Sequence, residues 1–296
     1  MVLGGTHALA TTVVVVRTSD AEPYSQADAA VRDRLTQHQF TVRSVLIKDV
    51  SQQGVQAAIG KPDAVIAIGT SAARWLHKEL PSSTKLVYCM VSNARDAGLL
   101  DGRSICGVTT DVSIGQQFGL IAEALPHAHV VGTLYRSDDA AGKSALAALT
   151  SGLPAGWQVE SVAANDYPSV AAAIDALTQK NVDVIWTTTD PKLYDSASVR
   201  ALLLAALRAK IPVWGFSPAF VRAGALLGVG VEPRSQGSQV ADLVVQFIAD
   251  PTKVSAGAAS PDQFQIALNF IVAQQLGVVI PDSLSSRATY VYRTEK

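Results

Sequence analysis

The sequence predicts an α/β protein of two similar lobes, each a parallel sheet covered by helices on both faces. Three observations lead there. Short β-branched runs that are apolar throughout alternate with Ala/Leu-rich stretches at helical spacing, the pattern of strands buried on both faces and linked by crossover helices. The alternation then starts again near the middle of the chain. Finally, the 296 residues are 48% hydrophobic and only 17% charged, a balance that supports an extensive core and excludes a disordered chain.

Taken in order, Val13–Val16 reads as a buried strand, followed by a helix over Pro23–His38. Val42–Ile47 is the next strand and Val50–Ile59 the next helix. Ala64–Ile68 leads into a helix that begins near Ser71, and Leu86–Met90 is a fourth strand. In the second half Val130–Tyr135, Val159–Ala163, Val184–Thr187 and Val213–Gly215 read as strands. The helices between them run over Gly142–Ser151, Ser169–Lys180 and Ser196–Ala209. Pro126, Pro154–Gly156 and Ile211–Pro212 supply the turn signals.

The restart is also an echo in the residues. Arg17-Thr-Ser-Asp-Ala21 matches Arg136-Ser-Asp-Asp-Ala140 at an offset of 119, and Asp63-Ala-Val-Ile66 matches Asp183-Val-Ile-Trp186 at 120. Ala97-Gly-Leu-Leu100 resembles Ala223-Gly-Ala-Leu226 at 126. The matches keep chain order at nearly constant spacing, which implies two lobes of one topology with a cleft between them.

Several function classes are excluded. Twenty-four Lys and Arg against 25 Asp and Glu give a net charge of −1, so no basic surplus exists for nucleic acid. Apolar runs such as Thr12–Val16 and Ala201–Leu207 fall far short of the ~20 residues that a membrane span requires. Cys89 and Cys106 are too few for a zinc or disulfide framework and read as buried thiols or one native disulfide. His127 and His129 precede a strand away from the expected cleft, and no metal or cofactor is expected. There is no Gly-x-Ser-x-Gly elbow, P-loop or His-Glu-x-x-His, so an enzyme is not expected. Thr6–Ala10 ends in a small-x-small pattern, which is either the cleavage end of a secretory signal peptide or a chance pattern in an Ala-rich chain.

In open parallel sheets ligands bind beyond the carboxyl ends of the strands. Here those loops are Thr18–Tyr24, Gly69–Ala72, Val91–Arg95, Arg136–Ala141, Thr188–Leu193 and Phe216–Phe220. Their Ser, Thr, Asn and Asp side chains either cap helices or bond a polar ligand. The candidates are Ser19, Asp20, Tyr24, Gly69, Thr70, Ser71, Ser92, Asn93, Tyr135, Ser137, Asp138, Thr188, Thr189, Asp190, Phe216 and Ser217.

The ordered set Lys61-Pro-Asp-Ala-Val-Ile-Ala-Ile-Gly-Thr-Ser-Ala-Ala73, Cys106-Gly-Val-Thr109, Leu125-Pro-His-Ala-His-Val-Val-Gly-Thr-Leu-Tyr135, Ile211-Pro-Val-Trp-Gly-Phe-Ser217, Val221-Arg-Ala-Gly-Ala-Leu226 and Leu268-Asn-Phe-Ile-Val-Ala-Gln-Gln-Leu-Gly-Val-Val-Ile-Pro281 resembles the tryptophan/tyrosine ABC-transporter substrate-binding family. The likeness runs from Thr12 to Tyr292. It implies two Rossmann-like lobes joined by a three-segment hinge, the type I periplasmic binding protein architecture. It also implies a monomeric periplasmic receptor, free or lipid-anchored, that delivers a small solute such as an aromatic amino acid to a membrane permease. The family's allocation implies a first lobe of 11–111 plus 218–255 and a second of 112–217 plus 256–296, with hinges near Thr109–Ser113, Phe216–Pro218 and Asp250–Gly257. The chain departs from the family at Arg136–Gly142, at Pro218–Val221 and at Asn93–Ala94, all of them in expected cleft loops.

For a zwitterion, the Gly69–Ala72 segment offers backbone N–H groups and two hydroxyls at a helix N-terminus to a carboxylate. Asp190, with Thr188 and Thr189, would accept an ammonium group, unless it caps the following helix; Asp20 and Asp138 are the alternatives. Tyr24, Tyr135, Tyr194, Phe216 and Phe220 would wall an apolar side chain or belong to the core. Arg136 pairs with a ligand anion or with Asp138 or Asp139 in its own loop. The expected mechanism is capture by hinge closure. A periplasmic sensor feeding a kinase and a small-molecule enzyme on the same fold are the other readings. A repressor is disfavoured by the short segment before the first strand.

Overall fold

The computed structural model describes residues 11–100, 105–190, 192–254 and 256–293; the Thr6–Ala10 pattern lies outside them. The chain divides into two units, Met1–Asp111 with Val231–Gln263 and Val112–Gly230 with Phe264–Lys296.

In the first unit the chain runs through β1 (Thr12–Arg17), α1 (Glu22–Gln37), β2 (Thr41–Leu46), α2 (Ile47–Gln53), α3 (Val55–Ile59), β3 (Ala64–Ile68), α4 (Thr70–Glu79), β4 (Leu86–Val91) and β5 (Ile105–Thr109). The second unit follows with α5 (Ile114–Ala124), β6 (Val130–Tyr135), α6 (Ala140–Gly152), β7 (Gln158–Ala163), α7 (Val170–Thr178), β8 (Val184–Trp186), α8 (Ser196–Arg208), β9 (Val213–Gly215), α9 (Pro218–Ala223) and β10 (Leu227–Val231). The chain returns to the first unit for α10 (Pro233–Ala249) and β11 (Gly257–Ala259). It ends in the second with β12 (Phe264–Asn269), α11 (Phe270–Leu276), α12 (Asp282–Ser285) and β13 (Tyr290–Tyr292).

The first sheet has the order β11-β5-β4-β3-β1-β2 and the second β13-β12-β10-β9-β8-β6-β7. In each, the opening strand sits between its second and third, joined to both in parallel register. Both faces are buried. Along β1, Val14 and Val16 pack in one apolar cluster while Val13 and Val15 pack in another on the opposite face. This is why the strand reads as an unbroken valine run.

The echoes have physical causes. Asp63 and Asp183 each precede a strand and fasten the neighbouring opening strand. The Thr12 N–H donates to the Asp63 carboxylate at 2.8 Å, and the N–H groups of His129 and Val130 donate to Asp183 at 2.7 and 2.8 Å. Ala97–Leu99 and Ala223–Ala225 close the same turn around a left-handed glycine. In it the N–H of Gly98 or Gly224 reaches three residues back and the next N–H five residues back.

Three expectations need correction. The single helix over Val50–Ile59 is two helices, broken at Gly54 with φ +84°. Residues 218–230 belong to the second unit because α9 leads directly into β10, which pairs with β9. Residues 256–263 belong to the first because β11 pairs with β5. The second and third chain crossings therefore fall at 230/231 and 263/264, not at Phe216–Pro218 and Asp250–Gly257.

Candidate functional site

In the first unit β1, β3 and β4 are neighbours in the sheet, so the loops after them emerge side by side. Gly69 has φ +95° and starts α4. A Cβ there would stand 2.5 Å from Thr18 Oγ1 and 3.1 Å from the Tyr24 ring, so only glycine lets these three groups meet. The Ala72 N–H donates to Thr18 Oγ1 at 3.1 Å. The N–H groups of Thr70 and Ser71 open the first turn, where no intrahelical carbonyl can reach them, and Ser71 is exposed. Thr18 thus belongs with Tyr24, Gly69, Thr70 and Ser71, although it was not among the candidate residues. The signal in the sequence is its place at the head of the strand-end loop Thr18–Tyr24.

The other candidates of this unit have local roles. Ser19 Oγ accepts from the Ala21 N–H at 3.3 Å, and Asp20 lies 3.1 Å from Arg17. Arg17 also reaches the buried Asp28 at 3.3 Å. Asn93, with φ +46°, holds Asp96 through its side-chain amide and donates its N–H to Asp111 at 2.8 Å. Ser92 is exposed beside it.

In the second unit β6, β8 and β9 are likewise neighbours. Arg136 donates twice to Asp138, at 3.0 and 2.7 Å, so the local pairing is the one observed. That bond holds the Asp138 carboxyl below the usual carboxylate range, with the nearby Lys192 adding to the effect. Asp138, Asp190 and Asp139 all act on the Arg136 guanidinium, which places the loops after β6 and β8 in one electrostatic cluster.

Asp190 does not cap α8. The Lys192 N–H donates to its carboxylate at 2.8 Å, and its carbonyl accepts from Leu193 and Tyr194. The cap of α8 is Asp195, which accepts from Ala197 and Ser198. A compact turn after β8 intervenes, and it presents Asp190 within electrostatic range of Arg136.

The Asp190 turn leads into an aromatic group, since the Tyr194 N–H donates to the Asp190 carbonyl. Tyr194 and Phe216 have ring centroids 6.2 Å apart, and Phe216 meets Phe220 edge-on at 5.0 Å. Tyr194 is buried, and its hydroxyl has no hydrogen-bond partner among the described residues. Burial first, and then the Asp190 charge, raise its pKa.

Tyr135 is half-buried at the end of β6; Thr188 is half-buried and Thr189 exposed beyond β8. Ser217 is spent as the cap of α9, accepting from the Phe220 N–H at 3.2 Å. The Ser137 N–H donates to Asn165 Oδ1 at 2.8 Å, a tie to the β7 turn that no local pattern signals.

Among the described residues no group of three or more His, Cys, Asp or Glu side chains is arranged to hold a metal ion. Cys89 and Cys106 are free and buried. Burial pushes both thiols up, Cys106 to about 11.

Two echoing α/β units connected by three chain crossings, each with polar strand-end loops, define a type I periplasmic binding protein architecture. The ABC transporter substrate binding protein family matches residues 39–292, and the chain belongs to that family. A Streptococcus pneumonia ABC domain in complex with L-Trp is similar at 21% identity and TM-score 0.62, covering 96% of this chain and 100% of that one. A ligand-free, open substrate binding protein with adhesive properties from Clostridium difficile is similar at 19% identity and TM-score 0.74, with the same coverages. A glucose-galactose binding protein from Geobacillus stearothermophilus is similar at 12% identity and TM-score 0.53, covering 88% of this chain and 98% of that one. No curated protein matches by sequence.

Proposed function

We propose that this chain is the extracytoplasmic, monomeric receptor of an ABC importer and captures an amino acid, with an aromatic side chain favoured, by hinge closure. One observation carries the reading. The two units offer opposite chemistries at strand ends: N–H and hydroxyl donors at Gly69–Ser71 in the first, and in the second the Asp190 carboxylate, whose charge acts on Tyr194, with Tyr194 and Phe216 as ring neighbours. A zwitterion needs both. Its carboxylate matches the start of α4, its ammonium group matches Asp190, and a planar side chain matches the rings. The captured solute then passes to a membrane permease.

Calorimetry of the full chain against L-Trp, L-Tyr, L-Phe, glucose and galactose tests the reading. Binding of an aromatic amino acid in the micromolar range, about −8 kcal/mol, is expected. Binding of a sugar with no response to any amino acid would overturn the ligand assignment.

A further inference from the structure

Gln236 heads the buried stripe of α10 that continues through Val240, Val244 and Phe247. Only 1% of Gln236 is exposed. A buried amide is costly unless its bonds are made, and here both ends are used. The Gln236 side-chain N–H donates to the Thr109 carbonyl at 2.9 Å, and its oxygen accepts from the Met90 N–H at 3.0 Å. Both partners sit where the sheet becomes irregular. Met90 has φ +55°, and the register of β4 on β5 shifts between Tyr88 and Val91.

Neighbouring bonds extend the tie. The Thr109 hydroxyl donates to the Ala259 carbonyl at 3.3 Å. One turn further along α10, the Gln239 amide donates to the Ser260 carbonyl at 3.1 Å, and its oxygen accepts from the Asp262 N–H at 3.0 Å. The Asp111 carboxylate accepts from Asn93. All three segments that leave the first unit, after Asp111, before Val231 and after Gln263, are thus fastened to one another within that unit by two glutamines of one helix.

We propose that Gln236 and Gln239 are positioning residues that make these three departing segments and the Ser92–Asn93 loop one rigid foot. Movement that accompanies binding is thereby confined to the bonds at the crossings, because hinges work when a few residues absorb the change and their anchors do not. The proposal rests on the binding reading for the movement that accompanies binding and for the role of the Ser92–Asn93 loop; the foot itself is testable without ligand.

Spin labels at exposed Gln37 and Gln179 place one probe in each unit of the full chain, and pulsed EPR then reads their distance distribution in the absence of solute. Gln236→Leu and Gln239→Leu are each expected to broaden that distribution. Val244→Ala, a cavity in the same helix that leaves the amides untouched, is expected to keep the wild-type width and so separates the tie from lost stability. Unbroadened distributions in both glutamine variants, or equal broadening in Val244→Ala, would overturn the proposal. If Gln236→Leu does not fold, the more accessible Gln239→Leu decides alone. A failure of every amino acid to bind in calorimetry leaves these widths interpretable.

Discussion

Asp190 and Arg136 show how much a single strand-end residue depends on its immediate partners. The Asp190 carboxylate accepts a backbone N–H from Lys192, a bond that asparagine keeps while losing the charge. Asp190→Asn therefore isolates the electrostatic part of ammonium recognition. Loss of a hydrogen bond to a charged group costs ~1.5–3 kcal/mol, so calorimetry is expected to show affinity for an amine-bearing solute falling tenfold or more, with thermal stability unchanged. For Asp138 the sign of the pH dependence is fixed by Arg136, whose guanidinium lowers the carboxyl pKa. Its folded value lies below the unfolded one, so its contribution is present above about pH 4 and is lost as pH falls through the folded value. In Arg136→Gln, an NMR titration of the Asp138 carboxyl is expected to move back up toward the ordinary value. No movement would remove Arg136 as the cause.

At the scale of elements, the close approach of α1 and α10 dominates the first unit. A Cβ at Gly237 would run into the Ala27 carbonyl, which is helix backbone and cannot turn aside. Ala is the better helix former by about 1 kcal/mol, whereas overpacking costs about 1–3 kcal/mol. The clash wins because the obstruction is main chain. Gly237→Ala is expected to lower the urea midpoint by an amount equivalent to about 1 kcal/mol or more, at constant slope. Surface pairs on the same two helices, Arg34 with Asp242 and Arg234 with Asp33, are exposed and contribute little by comparison.

For the whole molecule, the three crossings mean that neither unit is a continuous stretch of chain. One face of the first sheet is covered by Val240, Ala241, Val244 and Phe247 of α10, packed with Val13, Val15, Ile66 and Val108, and β11 completes its edge on β5. A fragment of residues 11–111 lacks all of that cover. It is expected to remain without native dispersion in an NMR spectrum, and to gain it when residues 231–263 are supplied. A well-dispersed spectrum from 11–111 alone would show that α10 is dispensable for the core.

The alternation of buried strands with helices, the doubled topology and the strand-end loops were all legible in the sequence, because each rests on local periodicity or on a motif repeated at fixed spacing. The sequence shows Asp63 and Asp183 as an echo, but their shared task of fastening an opening strand is visible only in the fold. Tertiary structure decided what depends on partners far apart in the chain. It joined Met90 to Gln236 and Thr109 to Ala259, and it assigned 218–230 and 256–263 by strand pairing. Between the two sequence readings of Asp190 the structure rules out the helix cap, because Asp195 caps α8, while Ser19 and Ser217 accept N–H groups of their own loops. The physical reason is that a hydrogen bond closing a loop of more than a hundred residues leaves no period in the residues between its ends.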